Sequence, residues 1–368
     1  MITLFDRYLM RRFLVGTLPV LLLLLILFSF LALADELEDV GQGSFTLFDA
    51  FRVVLYTAPR RIVDLMPVTL LLGGLIGLGA MANHQELIAA RAAGMSRHRI
   101  GRPVLILAMG VGLVVVTAQA FLIPLAEREA GDIRARKLAD ASLSAERRTG
   151  FWTRSENRIV RVNEVRYGQL LTDLEVYVLD DEGRLLELVR AERATVRDPD
   201  DWRLDSVTVT RMGDWAAEEE HRESLDWPGL LSREQAGILV RPLETLAPHE
   251  LVRLIGIQRA NGLNDQAHRV TLWQQLSIPV ALIGMALLSL PLLLGSVRMV
   301  SAGSRVVIGG FVGIAFYLVQ QLTGHLAGLF SLNPPLLIMT PAVVLLIVAV
   351  YTQFLERPRP RRRRRRAR

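Results

Sequence analysis

The sequence predicts a membrane-embedded bundle of six helices interrupted by one β-rich domain. Three observations lead there: six long apolar stretches fall in two groups of three, a polar segment with strand-like alternation separates the groups, and no Asp, Glu, Lys or Arg occupies the middle of any stretch. The stretches are residues 13–34, 65–82 and 103–125, then 270–294, 306–322 and 335–354. A hydrocarbon core about 30 Å thick requires about 20 helical residues at about 1.5 Å each. Only a helix satisfies its own backbone hydrogen bonds in lipid, so strands are excluded for these stretches.

In chain order, the first stretch follows Arg7, Arg11 and Arg12 and ends in Ala32-Leu33-Ala34, which imitates a cleavable signal peptide. Its apolar run is longer than the usual 7–15 residues of such a signal, so a retained helix is expected. Positive charge sets the sidedness. Arg91, Arg97, Arg99 and Arg102 follow the second stretch, Arg298 and Arg305 follow the fourth, and an arginine tail over 357–368 follows the sixth. Those segments and both termini are read as cytoplasmic, with the tail in contact with anionic membrane lipids. Asp35, Glu36, Glu38 and Asp39, the large segment 126–266 and the uncharged loop 323–333 fall on the other side.

Within 126–266, Val160-Arg161-Val162, Leu174-Glu175-Val176-Tyr177-Val178 and Val207-Thr208-Val209-Thr210 alternate or are β-branched, as half-buried strands are. Asp181-Glu182-Gly183 and 198–201 supply turns, and a sandwich or open barrel follows. Residues 128–143 and 248–261 read as helices leading out of and back to the spans. The expected organisation is therefore 1–125 (three spans), 126–266 (β domain), 267–356 (three spans) and 357–368 (basic tail).

Several function classes are excluded. The chain has 368 residues, is 51% hydrophobic and carries no cysteine, which removes disulfides and thiolate chemistry. Lys137 is the sole lysine and lies between Arg136 and Leu138, so a Walker A nucleotide loop is impossible. His221 and His249 stand alone, and no metal site, cofactor or catalytic constellation emerges. The net charge of +6 is concentrated in the tail, which argues for membrane contact and against nucleic acid. Ion-coupled transport needs charged groups within the spans, and these lack them.

Two patterns remain. Gly73 and Gly77 in the second stretch, and Gly309 and Gly313 in the fifth, are i, i+4 pairs that suit close helix contact, either inside the bundle or between subunits. Residues 84–94, ending at Gly94, form a short helix too charged to span. It is either a connector or a helix that docks in a partner's groove, with Glu86 as its one acid.

The order of these features resembles the permeases of the lipopolysaccharide export ABC transporter, the LptF/LptG family, and the G type within it. The resemblance rests on Gly41-Gln42-Gly43-Ser44, on Met66-Pro67 through Leu72-Gly73-Gly74-Leu75-Ile76-Gly77-Leu78-Gly79 to Gln85-Glu86-Leu87, on Leu294 to Arg298, and on Arg305 to Gly309 before Phe316-Tyr317. It implies a non-catalytic inner-membrane subunit that pairs with an F-type permease above a cytoplasmic homodimeric ATPase. Lipopolysaccharide would enter beside the first and fifth spans and pass through a jellyroll-like periplasmic domain to periplasmic jellyroll bridge proteins. The short helix becomes the ATPase-coupling helix, with Glu86, Leu87, Ala90 and Gly94 as its candidate residues. Arg60, Arg61, Arg134 and Arg136 are candidates for the lipid's phosphates, since guanidinium binds them bidentately. Where the family often carries basic residues after the first span, this chain has Glu38 and Asp39. A rival reading is a membrane scaffold whose outer domain binds a periplasmic ligand without transport.

Overall fold

A computed structural model describes residues 3–138, 148–155, 158–166, 170–180, 184–198, 201–212, 217–228, 243–260, 264–294, 302–330 and 333–354. The turn at 181–183, the junction 295–298 and the arginine tail lie outside the described residues. So do residues 199–200 of the second expected turn and 139–143 of the helix expected to run to 143.

The spanning helices are α1 (Leu4–Leu37), α2 (Leu47–Asn83), α4 (Arg97–Thr117), α7 (Gln266–Leu294), α8 (Ala302–Leu329) and α9 (Pro334–Phe354). All six are long and apolar enough to cross a membrane. A short helix α3 (Glu86–Ala92) follows α2, and α4 continues through a wide turn at Ala118–Leu122 into α5 (Ile123–Leu138). Helix α6 (Pro248–Ala260) precedes α7. Several helices outrun their apolar stretches. Helix α2 starts at Leu47 rather than 65, because Arg60, Arg61 and Asp64 interrupt hydropathy but not helix formation. Helix α8 continues to Leu329, so most of the loop expected at 323–333 is helical.

The chain divides into two compact units. The first comprises Met1–Ile26, Ile62–Thr117 and Trp273–Arg368; the second comprises Leu27–Arg61 and Ala118–Leu272. In the first unit, 61% of the apolar window of α2 and 56% of that of α7 are buried, against 28% or less for the other spans. These two helices form the centre. They meet where Gly74 faces Ser289. Helices α1 and α8 lie on α2, while α4 and α9 lie on α7, where Gly112 reaches Leu282 and Gly284 reaches the Leu346 backbone.

The second unit holds an antiparallel sheet in simple up-and-down order: β1 (Arg148–Ser155), β2 (Arg158–Arg166), β3 (Leu170–Leu179), β4 (Leu185–Asp198), β5 (Asp201–Met212) and β6 (Ala217–Pro228). The three strands read from the sequence are β2, β3 and β5. One line of positions, Gly150, Asn163, Asp173, Glu192, Ser206 and Glu223, is skipped in all five strand pairings. Asp173 and Ser206 on this line have positive φ, 55° and 54°. Burial changes phase across it: Val189 and Ala191 are buried on one side and Ala194 on the other, as are Val209 and Val207 against Leu204 and Trp202. A bend shared by all six strands keeps one face inward on both wings. The wings then face each other, since the Arg158 guanidinium lies 5.8 Å from the ring centre of Trp227 on the opposite wing. Trp202, Val160, Leu174 and Leu204 form the core between them. This is an all-β inserted domain of the jellyroll-like kind expected.

Candidate functional site

Helix α3 is built by its two ends. Gln85 enters with φ 62°, a left-handed conformation that turns the chain sharply off α2. Glu86 opens the first turn, where a carboxylate favours the helix dipole. At the other end, Met95 N–H bonds the Ala90 carbonyl and Gly94 N–H bonds the Arg91 carbonyl. That pair of bonds requires a left-handed residue at the exit, supplied by Gly94 with φ 94°.

Its faces differ. Leu87 is fully buried and Ala90 half-buried, so they anchor the helix. Ala89, Arg91 and Ala92 are exposed. Glu86 is half-buried, and its Oε2 accepts a 3.0 Å hydrogen bond from the Tyr8 hydroxyl at the start of α1. Arg12 Nε donates to the same hydroxyl at 2.9 Å, and its guanidinium lies 5.0 Å from the Tyr8 ring centre. The sequence reading missed Tyr8; its only signal there was the i, i+4 spacing to Arg12 within a basic segment. Asn83, just before α3, accepts a 2.7 Å bond from Arg305, which is buried at the start of α8.

The glycine pairs sit inside the bundle. A methyl group on Gly73 would meet Thr17 of α1, and one on Gly77 would meet the Arg12 carbonyl. A Cβ on Gly309 would collide with Leu75, and one on Gly313 would lie 2.9 Å from Val68, so α8 fits its glycines over side chains of α2.

All four candidate phosphate ligands lie in the second unit, where three of them come together. Arg61 is half-buried, donates to the Val54 carbonyl at 2.9 Å, and feels the charges of Glu127, Glu36, Arg134 and Arg60. Arg134 makes a two-armed ion pair with Glu36, whose side chain is only 11% exposed. Arg136 stands apart: 71% exposed, it turns back to Asp132 one helical turn away. The acids Glu36 and Glu127 are the members of this cluster that the sequence reading did not assign.

The β domain has its own hollow, about 260 Å³, lined by Arg158, Arg211, Arg222 and Trp227 among others. Its charges are largely matched internally: Arg211 pairs with Glu187 and Glu220 at 3.6 and 3.7 Å, and Arg222 with Glu220 at 2.8 Å. On the sheet, buried Glu175 accepts bonds from Tyr177 at 2.6 Å, Arg190 at 3.1 Å and Arg161 at 3.4 Å. The Tyr177 bond, with the two guanidinium groups beside it, holds this carboxyl below the usual range and pushes the Tyr177 hydroxyl up. Among the described residues, no group of three or more His, Asp or Glu side chains is placed to hold a metal ion.

The family described as "Lipopolysaccharide export system permease LptF/LptG" matches residues 7–353. The chain belongs to this family. The Haemophilus influenzae lipopolysaccharide export system permease protein LptG is 28% identical over 350 residues, 95% of this chain and 97% of the relative. The protein of the same name from Escherichia coli K12 is 24% identical over 349 residues, 94% and 96% of the two chains. The match thus covers the six spans, α3 and the inserted sheet, and makes this chain a lipopolysaccharide export permease by family.

Proposed function

We propose that this chain is the G-type permease of an ATP-driven inner-membrane exporter, moving lipopolysaccharide from the outer leaflet towards a periplasmic bridge. The observation that carries the reading is the family match from residue 7 to residue 353, which reaches every described helix and strand. The subunit itself makes and breaks no bond. A separate homodimeric ATPase drives it through α3, an F-type permease completes the pathway, and both termini are cytoplasmic with the β domain periplasmic.

The geometry supports these roles. Buried Leu87 ties α3 to its own chain, while Ala89, Arg91 and Ala92 offer a free face for a partner. Helices α1 and α8, which flank α2, have large exposed apolar faces, as α4 and α9 also do, including Leu22, Leu23, Ile26 and Phe30 on α1 and Phe311, Ile314 and Leu318 on α8. Such faces suit lipid chains. The cluster of Arg60, Arg61 and Arg134 supplies cations for phosphate, moderated by Glu36 and Glu127. A phosphate arriving at Arg134 displaces Glu36 or joins it through a divalent cation.

The test is Glu86→Arg in the co-purified complex reconstituted in vesicles. ATP hydrolysis is expected to continue while lipopolysaccharide release falls to background. Normal release by this variant removes α3 from the coupling path. Purification of the wild-type chain without any ATPase would instead favour the scaffold reading.

A further inference from the structure

We infer that Tyr8 is a positioning residue that ties the short helix α3 to the first span, so that displacement of α3 is delivered to α1. The inference rests on the permease reading above and goes beyond it by naming the linkage within this chain.

Two contacts fix the start of α1. The first is the chain Arg12 Nε to Tyr8 Oη to Glu86 Oε2, at 2.9 and 3.0 Å, which joins α1 to the first turn of α3. Both ends of this chain are charged, and a hydroxyl held between a guanidinium and a carboxylate donates to one while accepting from the other. Arg12 also lies over the Tyr8 ring, so the ring and hydroxyl are held together. The second is the close approach of α1 to α2 at Gly16, Gly73 and Gly77, one to two turns further along.

Burial along α1 separates these contacts from the rest of the helix. Asp6, Leu9, Phe13, Gly16, Thr17 and Val20 are its buried residues, and none occurs after Val20. The helix is therefore gripped along its first half, while Leu22 to Leu31 offers mainly exposed apolar side chains. A pull at Tyr8 acts on one side of the Gly16–Gly77 contact, and the exposed stretch Leu22 to Leu31 lies on the other, before Glu36 meets Arg134. One carboxylate has acceptor capacity for several donors, so Glu86 can keep Tyr8 while receiving a cation from a docked partner.

The experiment uses the complete complex in lipid nanodiscs and reads lipopolysaccharide released per ATP hydrolysed. Tyr8→Phe keeps the ring and its contact with Arg12 but removes the hydroxyl. The expected result is a fall in this ratio of about five- to tenfold, the size of a typical coupling between sites. Glu86→Gln in the Tyr8→Phe background should add less than it does alone, because the shared bond is already absent. An unchanged ratio for Tyr8→Phe at normal complex yield overturns the linkage. If Tyr8→Phe prevents assembly, spin labels decide it, introduced through Leu4→Cys and Ala92→Cys into this cysteine-free chain. Constancy of their separation through the nucleotide cycle supports rigid linkage, and a change overturns it. Failure of this inference remains distinct from failure of the permease reading: Glu86→Arg that uncouples beside Tyr8→Phe that does not leaves α3 in place and removes only Tyr8.

Discussion

Substituting Gly16 by alanine tests the closest helix contact in the bundle. The added Cβ would stand 2.6 Å from the Gly77 Cα and as close to the backbone of Gly73, whereas ordinary contact begins at 3.4 Å. The neighbours are backbone atoms of a hydrogen-bonded helix and cannot rotate away; Gly73 O and Gly77 N stand closer still, so α1 must retreat by about 1 Å. A gap of roughly 0.5–1 Å forfeits a quarter to a half of each dispersion well. The loss falls along the stripe Leu9, Phe13, Thr17 and Val20, which contains most of the buried residues of α1. Overpacking of this kind costs about 1–3 kcal/mol, more than the gain of up to about 1 kcal/mol from replacing a helical glycine. Gly110 of α4 is the control: a Cβ there meets nothing within 4 Å, so Gly110→Ala should be neutral or slightly stabilising. Thermal unfolding of the detergent-solubilised chain, followed by loss of the monodisperse peak in gel filtration, separates the two. Gly16→Ala should melt several degrees lower and Gly110→Ala at or above the wild-type temperature. Equal melting of both with wild type would refute the close contact between α1 and α2.

Two further outcomes concern the β domain. Because Glu175 has a depressed folded-state pKa, its ionised form contributes stability that is present above its ordinary value of 4.5 and lost as pH falls through the folded value. Glu175→Gln should therefore destabilise the sheet by about 1–2 kcal/mol at pH 7, with the difference from wild type vanishing at strongly acid pH; amide exchange in β3 and β4 reads it. Trp202→Ala removes a fully buried side chain from the core against which Trp227 packs, and should cost about 3–5 kcal/mol in denaturant unfolding. A change below 1 kcal/mol would mean that the two wings do not share this core.

Hydropathy located all six spans, yet it misjudged where helices begin and end. The reason is physical: hydropathy reports the thickness of lipid, whereas a helix continues into water wherever propensity allows, as α2 does through Arg60, Arg61 and Asp64. In the β domain, β2, β3 and β5 were legible because Val, Thr and Leu alternate there. Strands β4 and β6 were not: Arg190-Ala191-Glu192-Arg193-Ala194 and Glu218-Glu219-Glu220 have helical composition, and pairing with β3 and β5 overrides it. Helix α3 was legible through Glu86 and Gly94, but the bond from Tyr8 depends on a residue 78 positions away in sequence. The arginine candidates were legible as cations only. That Arg134 would hold Glu36 follows from the meeting of α1 and α5, which no local pattern encodes.

The distribution of polar groups follows from the job proposed for the molecule. A pump that moved ions would place its charges within the spans, but among the described residues the buried polar groups of the middle of the bundle are neutral, such as Ser277, which accepts a 2.7 Å bond from half-buried Gln320. Neutral amides and hydroxyls fix helix positions without creating a charge that must be resolvated during movement. Charged groups lie instead at the ends of helices, as Glu86 does in its bond from Tyr8 and Arg134 in its pair with Glu36. Half-buried Glu86 can accept a second donor beside Tyr8, whereas the largely buried Glu36 holds Arg134 until another charge takes its place. A bundle with a neutral interior and its charges at helix ends can change the separation of its helices around an apolar cargo, and the exposed stretch Leu22 to Leu31 of α1 is a face on which such a cargo can lie.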